Sequence, residues 1–250
     1  MQARVSLRDV SLNIPVFMPG QQRFLRPSNL LPKIGGRISS ENGKISVNAL
    51  KKVTLDLNER ENLALIGHNG AGKSTLLKVI AGIYPPSTGK VDVVGSVGCL
   101  LELGLGMSED MTGLECVRYR AAVFANNLSD WRLIAEEIAE FTELGDYMQM
   151  PIRTYSSGMR ARLAAALTTA WPRDILIIDE GIGAGDAAFQ SRFSARLNRF
   201  MEQARLLIMA SHDPGLLELY CTRGAVMEHG EIKFHGDLAD ALAYYAASHQ

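Results

Sequence analysis

The stretch that most restricts what this chain can become runs from Leu63 to Gly82, "LALIGHNGAGKSTLLKVIAG". Its opening apolar run, Leu63 to Ile66, reads as a strand buried on both faces. A glycine-rich turn follows, and then a helical run that Gly82 and the "YPPSTG" segment stop. Gly67, Gly72, Lys73 and Ser74 fall on the pattern G-x-x-x-x-G-K-[ST], with the strand before and the helix after that it requires. A loop without β-carbons at its glycines can wrap closely and aim successive backbone N–H groups at phosphate oxygens. The positive end of the following helix adds to the same spot. Gly67, His68, Asn69, Gly70, Ala71, Gly72, Lys73, Ser74 and Thr75 are therefore expected to cradle a nucleoside triphosphate. Lys73 would serve as a charge for the β- and γ-phosphates and the Ser74 hydroxyl as a ligand to Mg²⁺.

Further apolar runs, "DILIID" and "RLLIMASH", alternate with helical stretches at about 130–148, 157–170 and 187–204, which argues for a parallel sheet covered by helices. "ILIIDE" ends in two carboxylates. Asp179, at the carboxyl end of a buried strand, is placed for the Mg²⁺ shell, and Glu180, one residue on, is free to polarise an attacking water. Elsewhere, Val53 to Leu57 alternates as a half-buried strand, and "AVMEHGEIKFHG" reads as a hairpin turning at His229-Gly230, with Asp237 placed to cap a closing helix. Residues 18–46, rich in Pro, Gly and Arg, read as an inserted loop or irregular lobe.

Composition excludes several classes. With 26 basic against 27 acidic residues there is no charge excess to suggest nucleic acid as a partner. Cys99, Cys116 and Cys221 lack metal-ligand spacing and read as free thiols in a reducing compartment, with no metal cluster expected. The first residues lack a basic-then-apolar signal pattern, and no apolar run reaches the roughly 20 residues of a membrane span. A soluble, intracellular chain is expected.

"TYSSGMRARLAAAL" places Ser156, Ser157 and Gly158 at the start of a strongly helical run, a second anion-binding helix end. A head-to-tail dimer would give it a use, one copy's Ser-Gly turn covering the γ-phosphate held by the other. Over about residues 47–246 the sequence resembles the ATP-binding subunit of ABC transporters. "YSSGM" stands where that family carries its LSGGQ-like signature, "GIGAGD" where it carries the D-loop ending in Asp186, and "SHD" supplies the switch histidine, His212. "IGHNGAGKSTLLKVIAGIYPPSTGKV", "LLELGLG", "TYSSGM" and "GDAAFQ" are similar to subunits that export O-antigen and related surface polysaccharides in bacteria, with a lipid, drug or teichoic acid exporter as the alternative.

The resemblance implies an α/β fold: a RecA-like P-loop NTPase core with a parallel sheet, an antiparallel β subdomain and a helical subdomain, in one nucleotide-binding domain over 1–250. Residues 1–60 would be mostly the β subdomain, 61–104 and 171–236 the core, 105–170 the helical subdomain and 237–250 a C-terminal helix. It further implies ATP and Mg²⁺ as cofactors, Glu180 and His212 as catalytic residues, a homodimer, and a separate integral membrane subunit reached through residues near Glu102 and 111–125. The chain would then sit at the cytoplasmic face of the cell membrane. Three positions depart from the family pattern. Glu102 stands for the Q-loop glutamine near the metal, Met159 for the last signature glutamine, and Ile14 falls at the usual spacing of the adenine-stacking aromatic. Phe17, the nearest aromatic, is the expected base platform.

Overall fold

The computed structural model describes residues 2–16, 37–41, 44–100, 107–124, 130–179 and 187–248. It divides into two compact units, the first made of residues 1–97, 177–180 and 205–250, the second of 98–176 and 181–204.

In the first unit, β1 (Arg4–Val16), β2 (Arg37–Glu41), β3 (Lys44–Asn58) and β5 (Thr88–Val94) form an antiparallel sheet in the order β2-β3-β1-β5. The alternation legible at Val53–Leu57 is real. Val53, Leu55 and Leu57 are buried while Thr54 and Asp56 face solvent, and Val5 and Leu7 bury opposite them. Of the stretch 18–46 read as an insertion, 37–41 and 44–46 lie in strands, and Glu41 pairs with Lys44. The sequence between that pair is Asn42-Gly43, a dipeptide suited to a two-residue hairpin, so the stretch 18–46 carries a strand-pairing signal as well as the composition of an inserted loop or irregular lobe.

The second sheet runs in the order β10-β9-β4-β8-β7-β6, from β4 (Leu63–Ile66), β6 (Val97–Leu100), β7 (Ile175–Ile178), β8 (Leu206–Ala210), β9 (Arg223–Glu228) and β10 (Glu231–Asp237). β4 is parallel to both β8 and β9, and every residue of β4, β7 and β8 is buried, as continuous apolar runs require when both faces are covered. Asn62 sets the start of β4. Its side-chain oxygen accepts from Leu207 N (3.0 Å), its amide donates to Tyr220 O (2.9 Å), and its carbonyl accepts from Thr222 and Arg223. β9 and β10 form the expected hairpin, with Glu228 paired to Glu231 and positive φ at His229 and Gly230. Asp237 closes β10 and accepts from Arg223 (3.3 Å) just before α7 (Leu238–Ser248). The first unit also holds α1 (Lys73–Ile80) and α6 (Pro214–Tyr220).

The second unit packs α2 (Gly113–Phe124), α3 (Trp131–Thr142), α4 (Ser157–Thr168) and α5 (Ala187–Gln203), burying Cys116, Val117, Ile138, Met148, Leu163 and Leu167 together. The helix read at 130–148 is two elements: α3 stops at Thr142 because Glu143 takes a left-handed conformation (φ 57), and 3-10 turns follow. α2 starts with a reciprocal cap. Thr112 N donates to the Glu115 carboxylate (2.8 Å) and Glu115 N to the Thr112 hydroxyl (3.1 Å). The cysteines are free thiols, and burial pushes Cys99 up to about 11 and Cys221 up to about 12. Among the described residues no helix is long and apolar enough to cross a membrane.

Candidate nucleotide site

The glycine loop leaves the buried end of β4 and enters α1 at Gly72, whose backbone is left-handed (φ 109) and which caps the helix without a side chain. The first N–H groups of α1 therefore have no side-chain acceptor at the cap. Lys73 is buried, 8% exposed, and its ammonium donates to the carbonyls of Gly67 (2.5 Å) and His68 (3.3 Å). Burial of an ammonium is tolerable when it is hydrogen-bonded in this way, and the contacts curl the loop around the lysine. Ala71 N closes onto His68 O (3.1 Å).

The loop is held from outside as well. Gly230 N donates to Ala71 O (2.9 Å), and Gly230 O accepts from Lys51 N (2.8 Å), so one hairpin glycine ties the loop to β3. A side chain at Gly230 would place its β-carbon 2.5 Å from Ala49 O, and the backbone there is left-handed (φ 82). Gly67 is similarly constrained: a β-carbon would lie 2.4 Å from Met227 O. His229, exposed at the hairpin turn, meets the ring of His68 edge-on at 5.5 Å. Gly230 and His229 carry no motif signal. They become neighbours of the loop only through strand pairing distant in sequence.

Above the loop opens a cavity of about 440 Å³, lined by His68, Asn69, Gly70, Gly72, Lys73, Ser74 and Thr75, by Asp179 at the end of β7, and by Ile14, Val47 and Ala49 from β1 and β3. The exposed Ser74 hydroxyl and the Asp179 carboxylate are hard oxygen donors of the kind Mg²⁺ takes, and both line the cavity. His212, just past the end of β8, donates through Nε2 to Asn69 Oδ1 (3.0 Å), which brings it to the rim of the loop. Asp213 caps α6, accepting from Gly215 (2.9 Å) and Leu216 (3.4 Å).

In the second unit Ser156 caps α4, its hydroxyl accepting from Met159 N (3.2 Å), with Ser156 and Ser157 exposed. Among the described residues, only the Ser156 hydroxyl, 3.9 Å away, would come near a β-carbon at Gly158. That helix end is open to an outside group. Phe17, Glu102, Glu180 and Asp186 lie outside the described residues.

A phosphate-cradling loop between a buried parallel strand and a helix, with a carboxylate at a neighbouring strand's end and an antiparallel sheet over the cavity, defines a P-loop NTPase of the ATP-binding-cassette fold. The family model described as "ABC transporter" matches residues 50–183. The chain belongs to the ABC transporter family.

Among its relatives is the O-antigen export system ATP-binding protein RfbE of Yersinia enterocolitica, 40% identical over 226 residues that cover 90% of this chain and 94% of that one. Another, the O-antigen export system ATP-binding protein RfbB of Myxococcus xanthus, is 35% identical over 87% of this chain and 50% of its own length. The teichoic acids export ATP-binding protein TagH of Bacillus anthracis is 32% identical over 79% of this chain and 36% of its own length. Of the latter two relatives the chain thus spans half or less. Solved structures agree in fold. A dimeric ATP-binding cassette in a post-hydrolysis state bound to ADP and Pi matches with a TM-score of 0.64 at 20% identity, over 94% of this chain and 98% of that one. An ATP binding subunit of an ABC transporter matches with a TM-score of 0.69 at 21% identity, over 98% and 95%.

Proposed function

We propose that this chain is the ATP-hydrolysing subunit of a bacterial exporter for O-antigen or a related surface polysaccharide. The observation that carries the reading is the coincidence of two facts. A cavity of about 440 Å³ opens over the glycine loop, and identity to an O-antigen export ATP-binding protein runs at 40% through 90% of the chain. The teichoic acids relative keeps a second cargo in play at 32% identity.

In this reading the loop N–H groups and Lys73 hold the β- and γ-phosphates, and Lys73 exchanges its carbonyl partners for phosphate oxygens. Ser74 and Asp179 would hold Mg²⁺, with Glu102 the further candidate, and the metal would supply charge neutralisation along the phosphate chain. Glu180 takes the proton of the attacking water, and the Nε2 proton that His212 now gives to Asn69 is the one available to the γ-phosphate. A second copy completes the site. Its Ser156, Ser157 and Gly158 present the open helix end of α4 to the γ-phosphate, with Asp186 beside the junction. Loss of the γ-phosphate removes the shared ligand, and the copies part.

A membrane subunit at the cytoplasmic face would receive that motion. The exposed side of α2 suits it: Tyr119 and Val123 are each 52% exposed, beside a shallow groove lined by Met111, Arg118 and Ala122.

Glu180→Gln tests the chemistry. It should bind ATP normally and hydrolyse it slower by about 10²–10⁴. Normal turnover in that variant contradicts the assignment. Cargo is decided by which lipid-linked polymer accumulates inside cells that lack the chain.

A further inference from the structure

A second cleft, of about 430 Å³, lies within the second unit between α3, α5 and the end of α4, and shares no lining residue with the nucleotide cavity. Its two banks differ in charge. Arg192, Arg196, Arg199 and Gln203 follow one another along α5 at the spacing that puts them on one face. Glu137, Glu140 and Phe141 do the same on α3. The floor is Phe200 and Thr169, 5% and 7% exposed.

Most of these charges are already engaged, and what is left over defines the ligand. Arg196 lies over the Phe141 ring, bridges both oxygens of the Glu137 carboxylate and donates through Nε to Thr169 Oγ1. Three of its five N–H donors are so used, and the guanidinium is held in place. Arg192 donates to Glu143 (2.7 Å). Arg199 differs. Among the described residues its side chain makes one hydrogen bond, from Nε to Ala195 O (3.3 Å) in its own helix, which leaves both terminal nitrogens to face the cleft. On the opposite bank, the Glu140 carboxylate has no hydrogen-bond or ion-pair partner among the described residues.

A fork of terminal N–H groups beside a second, fixed guanidinium suits an oxyanion held bidentately, and phosphate above all. A bare anion would leave Glu140 repelled and unused. A ligand that also carries hydroxyl groups satisfies it, because a carboxylate accepts from them, and the Gln203 amide can both donate and accept. The Phe200 ring on the floor offers apolar contact to ring carbons. A free amino acid would meet one cation and one carboxylate, but it is too small to reach both banks and fill the cleft. A hexose phosphate sets its anion and its hydroxyls on opposite sides of a rigid ring, and the cleft is within the size range of small-molecule sites.

We infer that the cleft between α3 and α5 is a second ligand site, for a phosphorylated sugar, with the phosphate on Arg199 and Arg196 and the hydroxyls on Glu140 and Gln203. The inference neither needs nor alters the nucleotide reading.

The test is calorimetric titration of the full chain with glucose 1-phosphate, glucose and inorganic phosphate, in the wild type and in Lys73→Ala, which disables the cradle of the glycine loop. Glucose 1-phosphate should bind both chains alike, and about tenfold tighter than either of its parts. Arg199 and Glu140 are exposed, so their substitution leaves packing intact. Arg199→Ala should weaken glucose 1-phosphate by about 10–100-fold without changing the affinity for Mg·ATP. Arg199→Lys should recover only part of the loss, since an ammonium lacks the fork. Glu140→Gln should weaken glucose 1-phosphate and leave inorganic phosphate no weaker. The inference is overturned if glucose 1-phosphate binds no tighter than about 1 mM, or if Arg199→Ala leaves its affinity unchanged. Loss of binding in Lys73→Ala alone would place the ligand in the glycine loop and overturn it too. Inorganic phosphate binding as tightly as glucose 1-phosphate, with Glu140→Gln without effect, would overturn the sugar.

Discussion

Gly230 illustrates how a residue far from the motif governs it. Its N–H and C=O are both used, one on the loop and one on β3, and its conformation excludes other residues. Gly230→Ala should therefore cost about 1–3 kcal/mol in a left-handed, crowded position. It should also loosen Ala71 and Gly72, so that thermal unfolding shifts down and nucleotide affinity falls together. Unchanged affinity in a folded variant would show that the tie to the hairpin is not what shapes the loop. Lys73→Ala should by contrast abolish phosphate binding, because the only buried ammonium of the described loop is removed. At this scale the sequence was legible where a motif fixes residue types, as at Gly72, Lys73, Ser74 and Asp179, which the structure brings to one cavity. Val47, and the contacts that His229 and Gly230 make with the loop, were not, because strand register and hairpin packing bring them there and neither leaves a local pattern.

Elements were easiest to read where burial is complete. β4, β7 and β8 appear in the sequence as unbroken apolar runs and are buried throughout. α3 was harder. Its break at Glu143 rests on one left-handed residue before Gly145, which periodicity passes over. The start of α2 gives a prediction of its own. Thr112 and Glu115 satisfy each other's backbone N–H, and hydrogen bonds from Thr112 hold the Glu115 carboxyl below the usual range. Thr112→Ala should lower stability by about 1 kcal/mol, read as a shift of the denaturation midpoint, without changing nucleotide affinity. A second link is Arg196 of α5, which bridges the Glu137 carboxylate of α3, donates to Thr169 (2.7 Å) and stacks over Phe141 at 4.6 Å. It joins helices within the second unit through charge, hydrogen bond and ring face at once.

At the scale of the whole molecule, His235 on β10 makes one contribution to acid sensitivity. Although the residue is exposed, partial desolvation with Arg223 nearby holds its imidazole below its ordinary 6.5, against the opposing pull of Glu61 and Asp56. The unfolded chain therefore takes up a proton before the folded one does. The contribution is complete above about 6.5 and is lost as pH falls toward the folded value. Stability should decline on acidification through that window, and His235→Gln should flatten the decline; an identical slope in the variant would assign the effect elsewhere.

The assembly decides the account. Two copies are held to close on nucleotide because each carries a phosphate cradle and an open helix end at Ser156 that its own loop does not require. The direct measurement is sedimentation of the Glu180→Gln chain with and without Mg·ATP. A monomer that becomes a dimer holding two nucleotides is the predicted result, reversed by Ser157→Arg with nucleotide affinity per chain retained. A chain that saturates with ATP and stays monomeric at every concentration would contradict it.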